Sequence, residues 1–131
     1  MKLSCSVGEI RIVKKTVTDS DLATFETVNV HPFYSTFALG RDVEWACRQF
    51  VLEMKEEDEE GIGTFLNITH KSPALFGDEV EIRATLTELE GNTVNCSFAV
   101  MVSDRLVAEG YQGQKILKKE KVQRLIDQIR A

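Results

Sequence analysis

Cysteine is scarce in the sequence, and long apolar runs are missing from it. Its 131 residues include three cysteines, an odd number, and no two of them stand in a C-x-x-C pair. Neither a disulfide framework nor a zinc site is indicated, and a reducing cytoplasm is the expected compartment. No stretch approaches eighteen consecutive apolar residues, and the first residues carry no apolar core of a signal peptide. We therefore expect neither an export signal nor a membrane anchor.

Positive charge is also sparse. The formal net charge is −5, and the lysines and arginines are scattered instead of forming a stripe among aromatic residues. This distribution argues against nucleic acid as a partner. A chain of this length can bury a single sizeable core, so we expect one domain that spans residues 1–131.

The first half of the chain contains one long helical pattern. Apolar residues recur at three- and four-residue steps from Phe37 to Lys55, which predicts an amphipathic helix. Glu44 stands at the edge of this apolar stripe and is expected to face inward, whereas Arg41 and Asp42 are expected to lie farther around the helix. The acidic run that follows is interpreted as a solvated helix end, with Gly61 as the C-cap.

The remaining segments are assigned by their alternation. Glu9 to Val17 is typical of a strand, and the stretch from there to Ser35 has no clear period and is expected to be a loop. Beyond residue 60, period-two blocks predict four antiparallel strands, with turns at Gly91-Asn92 and Ser103-Asp104. A short amphipathic helix should follow. This order indicates an α+β hot-dog fold, in which a curved five- or six-stranded antiparallel sheet wraps a long central helix.

Three residues with catalytic chemistry stand in separate segments. Thr36 lies eight residues before Glu44, and His70 lies twenty-six residues after it. Together, a carboxylate, a hydroxyl and an imidazole can supply the base, the positioning group and the proton carrier for hydrolysis of an activated carbonyl. Singly, each has a plainer interpretation: Glu44 as a boundary residue of the helix, Thr36 as its N-cap and His70 as a strand-end histidine. Cys47, on the apolar stripe, is interpreted as a packed thiol.

The motifs around these residues resemble one family. Thr36, Glu44-Trp45-Ala46-Cys47, Gly63-Thr64 and Thr69-His70 are together similar to the pattern of the fluoroacetyl-CoA thioesterase-like branch of hot-dog acyl-CoA thioesterases, over about residues 10 to 118. The resemblance implies an enzyme that hydrolyses the thioester of a small acyl-CoA to the free acid and CoA. It further implies that Thr36, Glu44 and His70 are catalytic and that Gly63 lines the acyl pocket.

The same resemblance implies how such an enzyme is equipped and assembled. It requires no metal and no separate cofactor, because coenzyme A is part of the substrate. Its partners would be acyl-CoA and a second copy of the chain, in a homodimer or a higher oligomer with active sites at or near the interface, and neither nucleic acid nor membrane. In the fluoroacetate-specific relatives a lid segment carries aromatic gate residues. At the corresponding positions this sequence has Thr27 and Val30, which are not aromatic. We therefore expect a general thioesterase and not a fluoroacetyl specialist.

The sequence leaves several alternatives open. Glu44 can activate water or attack the thioester directly. His31 stands thirteen residues before Glu44, a disposition similar to that of hot-dog hydratases and dehydratases, although Phe37-Ala38-Leu39-Gly40 stands where those enzymes carry Pro-Gly. A domain that binds acyl-CoA without turning it over would be favoured if one bridging water cannot span the distance between Glu44 and His70.

Overall fold

A long helix lies against one face of an antiparallel sheet. The computed structural model describes residues 1–25 and 28–131. The strands are β1 (Ile10–Thr16), β2 (Leu22–Phe25), β3 (Val28–Tyr34), β4 (Glu59–His70), β5 (Glu79–Glu90), β6 (Thr93–Val102) and β7 (Arg105–Lys118). The helices are α1 (Thr36–Met54) and α2 (Lys119–Arg130), and a 3₁₀ turn spans Asp19–Asp21.

Five strands form the main sheet, in the order β1-β5-β6-β7-β4. Each strand pairs antiparallel with its neighbours. Because β1 and β4 stand at the two ends of this order, they are the edge strands. The two hairpin turns contain Gly91 and Ser103, whose φ angles of 58° and 52° suit tight connections between twisted strands. The predicted order of the second half of the chain is confirmed, and so is the α+β class.

The core lies between α1 and the sheet. Alternate residues of β5 and β6 face the helix and are fully buried, as period two requires. Facing them, α1 contributes apolar side chains that include Leu39, Val43, Phe50 and Met54. Within the described residues, neither helix is long and apolar enough to cross a membrane.

The stretch between β1 and α1 was expected to be a loop, and this prediction is wrong. It contains the 3₁₀ turn and a two-stranded hairpin of β2 and β3. The alternation in β3 is limited to Val28-Asn29-Val30-His31, and Pro32, which lacks a backbone donor, interrupts it. Four alternating residues before a proline are a weak strand signal. Of the two gate positions, Val30 is an exposed residue of β3, and Thr27 lies outside the described residues.

The ends of α1 differ from those expected. Ser35 is the N-cap, and its Oγ accepts a hydrogen bond from the Ala38 backbone N–H at 3.0 Å. Thr36 is therefore the first helical residue and not the cap. At the other end, Lys55 is the C-cap, and Gly61 belongs to β4 instead of terminating the helix.

Asp42 is buried, contrary to the expected outward position. It accepts a hydrogen bond from the Tyr34 hydroxyl and pairs with Lys15 and Arg41, which also bind the buried carboxylate of Asp21. Burial alone would raise the pKa of Asp21, but hydrogen bonds from the Thr18 backbone and from both cations outweigh it and hold that pKa well below its usual range. These contacts join the hairpin and the 3₁₀ turn to the start of α1.

Candidate active site

The first turn of α1 meets the end of β4. Thr36 Oγ1 lies 2.9 Å from His70 Nε2, a hydrogen-bonding distance across thirty-four residues of sequence. Because Ser35 caps the helix, the Thr36 hydroxyl is available for the imidazole. Both side chains are exposed to solvent in the single chain. The structure thus brings together two of the three residues of the predicted trio, and the Thr36 hydroxyl lies beside the imidazole and not beside the Glu44 carboxylate that it was expected to orient.

An open cleft lies beside this pair, between the β2–β3 hairpin and the segment that follows β4. Its volume is about 870 Å³, within the range typical of sites for small ligands. Aromatic side chains form much of its wall, and both histidines of the chain reach it: Phe25, His31, Phe33, Phe37 and His70. An apolar cleft that ends on a hydroxyl and an imidazole suits a ligand with one polar, reactive group.

Glu44 lies in a second cluster, farther along α1. Its Oε1 lies against Gly63 of β4, where a β-carbon would be only 2.7 Å from this oxygen. The same oxygen is 3.5 Å from the side-chain Nε2 of Gln112 on β7. Glycine at position 63 therefore gives the carboxylate room against the strand. The prediction that Glu44 faces inward is wrong for the single chain, in which this side chain is exposed.

The two clusters are separated because α1 runs antiparallel to β4. Thr36 contacts His70, Gly40 lies against Leu66, and Glu44 lies against Gly63. Eight helical residues rise about 12 Å, and seven strand residues extend about 23 Å. Within one chain, Glu44 and His70 are therefore too far apart for one water to bridge them. By the criterion given above, a single chain taken alone favours the acyl-CoA-binding alternative.

A β-bulge sets which residues of β4 face the helix. The pairing with β7 shifts by one residue between Gly63 and Phe65. Gly63 and Leu66 consequently both face α1, although they are three residues apart. Simple alternation would place them on opposite faces.

Sequence reasoning missed Gln112 and Gln114. Both side chains are buried, on the face of β7 that is directed toward α1. Their spacing of two within a predicted strand of otherwise apolar inward residues is the signal that would have found them. Cys47, in contrast, matches its interpretation as a packed thiol: the contact with Cys96 and its burial raise the pKa of Cys47, so the thiol stays protonated.

The fold and these two clusters define a hot-dog protein of the thioesterase superfamily. A thioesterase superfamily member from Thermus thermophilus is 31% identical, with a TM-score of 0.88 over 95% of this chain and 93% of that one. A hot-dog-like protein from Thermanaerovibrio acidaminovorans is 24% identical, with a TM-score of 0.85 over 93% and 90% of the two chains.

Of two further comparisons, the first concerns the fold alone and the second gives the particular family. The fluoroacetyl-CoA-specific thioesterase FlK has the same fold, with 20% identity and a TM-score of 0.86 over 95% of this chain and 97% of that one. The model of the family described as fluoroacetyl-CoA-specific thioesterase matches residues 17–120, and the chain belongs to this family. No curated protein matched the sequence.

Proposed function

We propose that the chain is an acyl-CoA thioesterase that acts as a homodimer, with Glu44 and Gly63 of one subunit facing Thr36 and His70 of the other. The hydrolysis class is supported by the family and the fold. The observation that carries the composite site is the antiparallel course of α1 and β4, which places the two halves of the trio on either side of the middle of β4.

The exposed edge of β4 supports the dimer. This strand is twelve residues long and pairs with β7 on one side only. Ile62, Phe65 and Leu66 remain 39%, 45% and 44% exposed, and Trp45 on α1 is 51% exposed. A long apolar edge with unpaired backbone groups is a hazard for aggregation unless another strand covers it. A second copy of β4 satisfies these groups by self-complementary pairing.

The register of that pairing determines whether the trio converges. Antiparallel pairing centred between Leu66 and Asn67 sets Gly63 of one subunit opposite His70 of the other. Paired strands lie about 4.8 Å apart, so the carboxylate that rests on Gly63 comes within reach of the imidazole across the interface. Two equivalent sites result from the two-fold symmetry.

The chemistry then needs only substrate, water and these side chains. Water attacks the thioester carbonyl while Glu44 removes its proton, and the C–S bond breaks as the tetrahedral intermediate collapses. His70 delivers a proton to the departing sulfur, and the proton that Glu44 took from water then passes to His70, which restores both groups. The Thr36 hydroxyl orients the imidazole or donates to the oxyanion. A thioester suits these three side chains because its leaving group is a thiol with a pKa of about 8.5, which departs without a strong acid.

The cleft beside His70 is the proposed site for the acyl group or the neighbouring pantetheine arm. Val30 at one gate position is aliphatic, so we propose activity on general small acyl-CoAs and no preference for fluoroacetyl-CoA. The three buried, free cysteines suit a reducing compartment such as the cytoplasm.

The test is release of CoA thiol by the purified protein from acetyl-, fluoroacetyl-, isobutyryl-, benzoyl- and crotonyl-CoA. We expect thiol release from several of them, with acetyl-CoA at least as good a substrate as fluoroacetyl-CoA. Saturable binding without release from any of them would establish the acyl-CoA-binding alternative. Hydration of crotonyl-CoA without thiol release would establish the hydratase alternative, in which His31 in the cleft would take part.

A further inference from the structure

Two glutamines on β7 form a buried amide pair that ends on Glu44. Gln112 and Gln114 are each 2% exposed, although glutamine is mostly an exposed residue. Residues two apart on a strand share a face, so both amides lie on the side that faces α1. A buried amide is stable only when its donors and acceptors are occupied. The partners of these two amides therefore fix how each is oriented.

The orientation of the Gln112 amide follows from its neighbours. Gln114 Nε2 donates to Gln112 Oε1 at 3.1 Å, which occupies the oxygen of Gln112. The NH₂ group of Gln112 then donates to the Gly113 carbonyl at 3.1 Å and points its other hydrogen at Glu44 Oε1, 3.5 Å away. The amide is thereby fixed with a donor, and not its oxygen, toward the carboxylate.

The oxygen of Glu44 that this donor faces is also the one that occupies the space left by the missing side chain of Gly63. Oε1 lies where a β-carbon on residue 63 would clash, and no contact of the described residues holds Oε2. We propose that Gln112, oriented by Gln114, is a positioning residue that holds Oε1 of Glu44 so that Oε2 faces the attacking water. This role depends on the thioesterase function proposed above and adds a part of the catalytic apparatus that contacts neither water nor substrate.

The kinetic test is a double-mutant cycle with Gln112→Met, which keeps the length of the side chain and removes the donor. We expect kcat to fall about tenfold with KM nearly unchanged, the effect of losing one hydrogen bond to a charged group. Gln114→Met, which only frees the Gln112 amide, should cost less. In a Glu44→Gln background, Gln112→Met should cause no further loss, because the group on which it acts is gone.

A purely structural role predicts a different result. Loss of packing would lower the rate equally in both backgrounds, so additive losses in the cycle would overturn the proposal. Gln123→Met, on the exposed α2 helix, is the matched control and should change neither kcat nor the melting temperature.

A crystal structure of Gln112→Met separates failure of this inference from failure of the proposed function. We expect the Glu44 carboxylate to leave Gly63 in the variant, whether or not the protein releases thiol. A carboxylate that stays in place would overturn the positioning role even if turnover is observed. A displaced carboxylate in a protein without turnover would retain the positioning role and reject the thioesterase function.

Discussion

Glu44 and Gly63 are in such close contact that any side chain at position 63 would displace the carboxylate. The distance from Glu44 Oε1 to a β-carbon on residue 63 would be 2.7 Å. Among residues 1–25 and 28–131, no other group comes that close to this β-carbon, and the flexible Glu44 side chain is the one that would move. Glycine at this position therefore serves the carboxylate and not the backbone conformation.

Gly63→Ala should accordingly reduce activity without much loss of stability. A displacement of the carboxylate by about 1 Å can cost about 10²-fold in rate. Gly91→Ala is the matched control, because Gly91 has a φ of 58° and open space around it. That variant should lose about 1 kcal/mol of unfolding free energy and keep its kcat. Thermal melting and thiol-release kinetics on both variants measure the contrast, and equal kcat losses would show that the contact has no catalytic role.

Mixing two inactive variants should restore activity if the active site is composite. Glu44→Gln should lower kcat by at least about 10²-fold, and His70→Ala should inactivate by removing the proton carrier. A mixed dimer has one site with both residues intact, so random exchange of equal amounts should restore about a quarter of the wild-type rate. An intramolecular site predicts no gain on mixing. Native mass spectrometry verifies that mixed dimers form, because the two substitutions change the subunit mass by different amounts. A fully active monomer, detected by light scattering, would also exclude the interface model.

Turnover should depend on the Thr36 hydroxyl that lies beside His70, and not on the rest of the Thr36 side chain. Thr36→Ser keeps the oxygen that lies 2.9 Å from Nε2 and should retain most of the activity. Thr36→Val has nearly the same shape, lacks the oxygen and should lose about tenfold or more in kcat. Since Ser35 caps α1, neither variant should lower the melting temperature much. A valine variant with wild-type kcat would exclude the hydroxyl from the mechanism.

Asp21→Asn should weaken the junction between the hairpin and α1 in a pH-dependent way. The pKa of Asp21 is lower in the folded chain than in the unfolded chain, where an aspartate has a pKa of about 3.9. Its ionised form therefore stabilises the fold above about pH 4, and that stabilisation is lost as the pH falls toward the folded value.

We expect Asp21→Asn to lower the unfolding free energy by about 3 kcal/mol at pH 7, as for a broken buried ion pair. Near pH 3 the loss should be smaller by about 1 kcal/mol, because the unfolded carboxyl is then largely protonated while the folded one is still ionised, and one pKa unit is worth about 1.4 kcal/mol. Urea unfolding at both pH values measures the difference. Glu57→Gln, which removes the same charge at an exposed position, should have little effect at either. A loss for Asp21→Asn that is the same at both pH values would show that its charge does not hold the hairpin.

Much of the fold follows from local periodicity. The steps of three and four residues that define α1 and the alternation in β5, β6 and β7 come from the geometry of helices and strands, which repeats within a few residues. The order of these elements and the motifs around Thr36, Glu44 and His70 were enough to predict the fold class and the family, both of which are confirmed.

The tertiary structure decided what local periodicity does not encode. The β2–β3 hairpin has little buried surface of its own, and its only alternation is short and stops at Pro32, so the sequence signal for it is weak. The ion pairs of Asp21 and Asp42 that join it to α1 link residues distant in sequence. The bulge after Gly63 changes which residues of β4 face α1. Its position is set by the pairing of β4 with β7, which the sequence of β4 alone does not show. The sequence by itself identified the three candidate catalytic residues. Only the packing of α1 antiparallel to β4 divided them between two clusters, since distances between segments are set by packing and not by spacing along the chain.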